Sequence, residues 1–371
     1  MKFTIERAHL LKALSHVTSV VERRNTIPIL SNVLLGVSAE GVSLAATDLD
    51  IEVIETAPAQ VHAAGVATLP AHTFYEIARK LPDGAEVTVE RKTDDSQIIL
   101  HAGRARFALP TLPEDEFPAL SADGLTHSFD MEAAEFARLI DKTRFAVSSE
   151  ETRYYLNGVH MHATEGENAV LRTVATDGHQ LALCDTPAPD GAQGMPAIII
   201  PRKTIGEVRK LIDDVAGDIT VQVSDAKIRF TVGSAILTSK LIDGTFPDYQ
   251  RVIPKDNENK LELENHSFKA SVDRVSTVST EKSRSVKMIL EADALTLRVS
   301  NPEAGQGTEE ISVTYGGEPM EIGFNAKYLL NVLAQIDGTD VIFRLSNANS
   351  PILIEDAGDE HALYVLMPLR V

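Results

Sequence analysis

The chain has 371 residues, 43% of them hydrophobic and 24% charged, with a formal net charge of −19. That is enough chain for two or three domains with their own cores, and its single cysteine, Cys184, excludes an internal disulfide framework or a cysteine-rich zinc site. No apolar run approaches the roughly 20 residues that span a bilayer, so no membrane partner is expected. The N-terminal MKFTIERAHLLKAL alternates charge and hydrophobe, unlike a secretory signal, and a cytoplasmic location is expected. The acidic total argues against nucleic acid as a partner unless positive charge is gathered in one place, because phosphate is bound by Lys and Arg.

In chain order, a short strand pattern at Met1 to Ile5 leads into RAHLLKALSHVTSVV from Arg7, apolar at helical spacing. NVLLGVSAEGVSLAATDLDIEVIE follows as strands. VATLPAHTFYEIARKLPDG (Val66 to Gly84) then gives strand, proline, basic helix and turn. AEVTVERK and IILHAGRARFAL alternate with period two and close on Asp115-Glu116-Phe117-Pro118.

The same order then recurs. His127 to Met131 precedes the helical AAEFARLIDKTRFAV from Ala133 and the strands LRTVA and QLALC. Ala197 to Ile200 precedes the basic PRKTIGEVRKL, where Pro201 suits the first helical position. Period-two strands follow and close on Phe246-Pro247-Asp248-Tyr249, 129 residues beyond the first Phe-Pro. A third round runs from Lys260 to Glu264 through SFKASVDRVSTV and MEIGFNAKYLLNVLAQIDGTD to the terminal ALYVLMPLRV. Mixed domains often look alike, but shared element order and segments of 126, 129 and 116 residues favour a true repeat. The expectation is an α+β chain of three similar domains, 1–126, 127–255 and 256–371, each with two helices packed on antiparallel β-sheets.

Charge is unevenly placed. The six helical patterns together carry +8, which leaves −27 for the rest of the chain, and Arg202 to Ile212 is the most positive at +3. Charges on the solvated faces of amphipathic helices explain part of this. The contrast still points to a helix-lined basic surface that attracts phosphate without reading bases.

No phosphate-cradling glycine motif, H-E-x-x-H or G-x-S-x-G is present. Thr176-Asp177-Gly178-His179 could serve a hydrolase or a metal. It equally fits a tight turn with Gly178 at positive φ, and no partnered nucleophile accompanies it. Cys184 reads as a packed core residue. If this turn meets RYYLNG, FPDY and the C-terminus, Leu156, Leu181, Pro247, Val252, Met367 and Leu369 form an apolar groove suited to peptides; plain core packing is the alternative.

At these residues the chain resembles the bacterial DNA polymerase III β subunit, the sliding-clamp family, from MKFTIERAHLLKAL to YVLMPLRV. TIPILSNVLL, RYYLNG, TVATDGH, FPDY, EKSR and MPLR carry the likeness. The resemblance implies the DNA clamp fold: a homodimeric, head-to-tail ring with helices lining a hole and sheets outside. It implies a non-catalytic processivity factor, without cofactor or metal, that encircles duplex DNA regardless of sequence. The implied partners are the DNA polymerase III alpha subunit, the clamp loader, and other polymerases and repair proteins that dock Gln- and Leu/Phe-containing peptides.

Position by position, the resemblance implies a peptide groove of Leu156, Thr176, Gly178, His179, Leu181, Pro247, Arg251, Val252, Val365, Leu366, Met367, Pro368, Leu369 and Arg370. A neighbouring subsite would use Arg153, Tyr155, Asn325 and Tyr328. DNA contacts would be Arg24, Arg79, Tyr154, Arg202 and Lys203. The ring seam would pair Arg104, Arg106 and Phe107 with Thr277, Val278 and Glu281. Three departures stand out: Gln180 where Arg is usual, Glu150 where Gln is frequent near DNA, and His72-Thr73 in place of a more basic pair. A protein-only scaffold and a hydrolase built on Asp177 and His179 are the competing readings.

Overall fold

The computed structural model describes residues 1–91, 96–121, 123–279 and 284–370. Glu281, expected at the seam, lies outside them. Six α-helices occur among the described residues: α1 (Arg7–Thr18), α2 (Ala71–Lys80), α3 (Ala133–Asp141), α4 (Arg202–Asp213), α5 (Asn265–Ser276) and α6 (Ala326–Leu333). Each pair is set in the same order: strand, helix, three strands, then strand, helix, three strands, with two short extra strands at Gln60–Ala63 and Thr314–Tyr315. Strand pairing is antiparallel throughout the described residues.

The helices form where apolar spacing says they should. In α4, Ile205, Val208, Leu211 and Ile212 are buried, and in α2 Phe74 and Ala78 are. The ends differ from the sequence expectation. Pro201 closes the strand Ile198–Pro201, opposite Gly158, so α4 begins one residue later. Helix α3 stops at Asp141, short of Arg144. There Thr143 Oγ1 donates to the Leu139 carbonyl at 2.7 Å, and a 3-10 turn follows at Arg144–Ala146. Asn265, which sits in a glycosylation-like triplet, is buried, and its amide caps the end of α6 through the Leu333 and Ile336 carbonyls.

The chain packs as two compact units: Met1–Ala137 with Pro189–Pro196 and Lys203–Leu241, and Arg138–Ala188 with Ala197–Arg202 and Ile242–Val371. Each unit contains a sheet that runs across a segment boundary. In the first, Ala235–Lys240 pairs with Ile51–Ala57, from Ala235 opposite Glu55 to Ser239 opposite Ile51, making an eight-stranded sheet. In the second, Asp359–Leu366 pairs with Gln180–Pro187, from Gln180 opposite Leu366 to Cys184 opposite Ala362, making a nine-stranded sheet. The first unit also holds a five-stranded sheet with Ala105–Pro110 at one edge, and the second a four-stranded sheet with Gly305–Ser312 at one edge.

Repetition extends to single atoms. Asp48 Oδ1 accepts the amides of Asp50 and Ile51, and Thr47 Oγ1 that of Leu49; Asp177 Oδ1 accepts those of His179 and Gln180, and Thr176 Oγ1 that of Gly178. Leu49 and Gly178 hold nearly the same positive φ, 79° and 90°. Nine residues after each of two helix starts stands a cation or imidazole. In the first unit, His16 Nδ1 lies 2.9 Å from Glu55 and Nε2 2.9 Å from Asp214. In the second, Lys142 reaches Asp337 at 2.7 Å and the Gln335 carbonyl.

Burial pushes the His16 imidazole down, but its bonds to Glu55 and Asp214 outweigh that and leave its pKa raised. The stabilisation is therefore fully present below the unfolded value of 6.5 and fades as pH rises through the folded one. His16→Gln is expected to lower the urea midpoint more at pH 6 than at pH 8.5, measured by circular dichroism at both.

Candidate functional site

The second unit carries a cavity of about 250 Å³. Four chain segments form it: the 3-10 turn Glu151–Leu156, the turn at 177–180 with its flanking strands, the irregular segment around Pro247, and the last strand with Met367 beyond it. Its floor, Leu181, Tyr249 and Val365, belongs to a buried cluster completed by Val174 and Leu183. At its rim the apolar side chains stay in solvent, with Val252 51% and Met367 42% exposed. Apolar surface left wet around a concave floor suits a ligand with apolar side chains.

The turn between the two strands is built by Asp177. One carboxylate oxygen accepts two backbone amides at 2.8 and 3.0 Å, and the other accepts Gln180 Nε2 at 3.0 Å. Thr176 Oγ1 donates to the Gln180 carbonyl at 2.7 Å. The His179 ring stacks on Tyr328, centroids 5.9 Å apart and planes at 18°. Burial raises the Tyr328 phenol, and the nearby Asp177 carboxylate, which accepts its hydrogen bond, adds to this. Asp177 is thus engaged in the turn and with Tyr328, and His179 is engaged as an aromatic face. Cys184 is buried and its thiol is pushed up to about 12 by burial, so it supplies no nucleophile. The hydrolase reading of Asp177 and His179 finds no assembled machinery here.

Of the residues expected in the groove and its subsite, Leu156, Thr176, Gly178, His179, Leu181, Pro247, Val252, Val365, Met367, Arg153 and Tyr155 line the cavity. Leu366 does not. It alternates to the opposite face of the last strand and is fully buried there, as period two requires. Leu369 lies outside the lining, 40% exposed, its amide bonded to the Gly323 carbonyl at 2.8 Å. Arg251 pairs with Asp248 at 2.8 Å on the surface, and Pro368 and Arg370 also lie outside the cavity. Asn325 caps α6 through the Lys327 amide, one turn before Tyr328.

Gln180, Asp248 and Tyr249 line the cavity and were not in the expected set. Gln180 turns inward, buried, with Oε1 lacking a partner. The FPDY motif pointed at Tyr249, but nothing in the sequence told lining from core. Glu150, which stands where Gln is frequent near DNA, is gripped by Arg153 through Nε at 2.8 Å and Nη2 at 2.7 Å, which lowers its pKa. His72 faces inward, 3.0 Å from the Val21 carbonyl.

Among the residues expected near DNA, Arg24 and Arg202 are exposed, and neither has a carboxylate partner among the described residues. Arg79 shares Glu76 at 2.8 Å, and Tyr154 is 53% exposed. Lys203 is clamped by Asp48 at 2.5 Å and Glu22 at 3.1 Å. Elsewhere on α4, Arg209 pairs with Asp213, and Lys210 with Glu207 at 2.9 Å. Three of its four cations are therefore compensated locally.

Gly178→Ala tests the turn. The new methyl would sit at φ 90° and 2.6 Å from Arg153 Nη1, the movable end of a long side chain. Since Leu49 holds the equivalent conformation, the substitution is expected to fold and to lose about 1 kcal/mol of stability, read from urea denaturation.

Comparison with known proteins places this geometry in context. Models of the DNA polymerase III beta subunit match in three parts: the N-terminal domain over residues 1–121, the central domain over 130–248 and the C-terminal domain over 250–370. The beta sliding clamp of Caulobacter vibrioides (strain NA1000 / CB15N) is 56% identical over 372 residues, and that of Escherichia coli (strain K12) 41% over 374, each covering 100% of both chains. A crystal structure of the C. crescentus beta sliding clamp with PEG bound superposes with a TM-score of 0.98 at 56% identity, covering 100% of this chain and 99% of that one. A Bartonella birtlesii sliding clamp bound to griselimycin gives 0.97 at 46% identity, with 100% of both chains covered.

Proposed function

The chain belongs to the DNA polymerase III beta-subunit family, and we propose that it works as a sliding clamp whose copies close head to tail around duplex DNA. It is a non-catalytic tether. The polymerase and other clients dock in the groove of the second unit, and processivity comes from topology.

One observation carries the ring. In the first unit the last strand of one segment pairs with the third meander strand of the segment before it; in the second unit the same thing happens again. Repetition leaves one strand of each kind over: Ala105–Pro110 and Gly305–Ser312, both sheet edges. An open edge is a template for another chain. Pairing these two between copies continues the pattern, and two copies close it with neither of these two edges left open. Arg104, Arg106 and Phe107 lie on or beside the first edge. Thr277 and Val278 follow α5, and a side chain added at Gly307 on the second would meet a Val278 methyl. These residues, with Glu281, are the proposed seam.

Arg24, Arg79, Tyr154 and Arg202 are the proposed DNA-facing side chains, and Lys203 joins them mainly by securing α4. Few uncompensated bases mean few tight phosphate contacts, which favours a ring that slides. The groove's apolar floor and rim suit peptides carrying Leu or Phe, and Arg153, Asn325, Tyr328 and the exposed Leu369, Arg251 and Arg370 are proposed to extend it. The polymerase alpha subunit, the clamp loader, and other polymerases and repair proteins are the proposed clients. No helix among the described residues is long and apolar enough to cross a membrane, and the cytoplasm is the proposed location.

Loaded onto nicked circular DNA, the protein is expected to stay bound through gel filtration and to leave once the circle is cut. Retention on the linear molecule would sink the topological reading. Arg24→Glu with Arg202→Glu is expected to cut loading several-fold; unchanged loading would favour the protein-only scaffold.

A further inference from the structure

We propose that the Tyr249 hydroxyl is the latch that positions one wall of the groove, and that protonation of His162 beneath it weakens peptide binding. This rests on the groove reading above. The wall is the segment 242–253, irregular except for the 3-10 turn Tyr249–Arg251, and it supplies Pro247, Asp248, Tyr249 and Val252 to the cavity. Something other than a strand ladder must hold it in place.

Two anchors do so, both on the face of the strand Gly158–Ala163 and its neighbours. Tyr249 Oη lies 2.9 Å from His162 Nε2 and 3.3 Å from Arg172 Nη1. Arg172 is itself fixed by a two-point ion pair with Asp185, at 2.7 and 2.6 Å. Next to this, His160 stacks flat on Phe246, 4.6 Å between centroids and 4° between planes.

Proton bookkeeping gives the latch a direction. A guanidinium only donates, so the Tyr249 oxygen accepts from Arg172 and its own proton goes to His162 Nε2. His162 Nδ1 lies 3.3 Å from the Ala163 carbonyl, which only accepts, so that nitrogen carries the ring's hydrogen. The chain Arg172, Tyr249, His162, Ala163 is complete with a neutral imidazole. A proton added at Nε2 takes away the acceptor and leaves the phenol's hydrogen buried and unpaired, which is costly.

The surroundings favour the neutral ring. Burial above all, then the Arg172 cation, hold His162 below the ordinary imidazole range, against the pull of the Ala163 carbonyl and Asp185. His160, half-buried beside it, is pushed down to about 4, chiefly by that burial. The charged and titratable groups facing His162 are Arg172 from the strand Val170–Thr176, Asp185 from the strand Gln180–Pro187, His160 on its own strand and Tyr249; Asp248 on the wall is taken up by Arg251. Because the folded value lies below the ordinary 6.5, the latch is closed at pH 6.5 and above, and opens only as pH falls through the lower, folded value.

The test is the affinity of the full chain for a tetramethylrhodamine-labelled peptide containing Gln, Leu and Phe, by anisotropy at pH 7.5 and 5.5. Tyr249→Phe is expected to weaken binding roughly fivefold at pH 7.5, the worth of one hydrogen bond, and to lose less than the wild type on acidification. His162→Ala should weaken binding likewise. His162→Gln, whose amide oxygen can take the phenol's proton, should rescue that loss with a flatter pH profile; any contribution from His179 is common to all variants. Wild-type affinity and slope in Tyr249→Phe, or the wild-type slope in His162→Gln, would overturn the latch. Should Tyr249→Phe fail to fold by circular dichroism, the His162→Gln slope decides. Met367→Asp separates the two readings: unchanged binding there sinks the groove itself, whereas binding lost there but unmoved in the other variants sinks the latch alone.

Discussion

The pairing of Asp359–Leu366 with Gln180–Pro187 is the constraint on which the second unit's function depends. It joins strands more than 170 residues apart in sequence and fixes their register from Gln180 opposite Leu366 onward. Because side chains alternate across a strand, that register alone sends Leu363 and Val365 to the groove face and Tyr364 and Leu366 to the other. The Met367 amide then bonds the His179 carbonyl at 2.9 Å, which carries the chain past the strand end and sets its side chain at the rim. A slip of one residue would exchange the apolar floor for the opposite face. The groove is therefore a by-product of continuous pairing between repeats, and the open edges proposed to close the ring obey the same rule.

Electrostatics works locally in this chain and is poorly described by totals. Six helical sequence patterns of formal charge +8 in a chain of −19 suggest a basic lining. Yet on α4 one cation holds Glu22 and Asp48, and two more pair within the helix. Exposed pairs of that kind contribute little to stability, but they do cancel charge seen from a distance. The cations left exposed and without a carboxylate partner among the described residues form a thin scatter that includes Arg24 and Arg202. A clamp that must hold without gripping is better served by such a scatter than by a dense basic patch, because each firm phosphate contact would add to the barrier for movement.

Much of this was legible in the sequence, and the failures have physical reasons. Element order, the six helices and the Asp177-Gly178 turn follow from periodicity and turn chemistry, which are local. Leu366 was misplaced because a motif names consecutive residues while a strand uses alternate ones. The carboxylates that hold Lys203, Glu22 and Asp48, carried no local signal because they lie more than 150 positions away. His162 and Arg172 carried no signal at all. Their adjacency comes from cross-strand register, and Tyr249 reaches them only because an irregular segment folds back over the sheet.

The repeat also shows why one frame yields a groove in one place and not in another. The Lys240 amide bonds the Asp50 carbonyl at 2.9 Å, as the Met367 amide bonds that of His179. Glu52, opposite Thr238, therefore stands where Leu181 stands opposite Val365. The first unit has the same turn and the same join, but its lining is a buried carboxylate, raised in pKa by burial and bonded to the Leu120 amide at 3.2 Å. Lys240 and Asp50, paired at 3.0 Å, replace Met367 and His179. An apolar side chain laid there would desolvate charges and return nothing. Backbone repetition supplies candidate sites at every join; a few side chains, Leu181 and Met367 against Glu52 and Lys240, decide which join can hold a peptide.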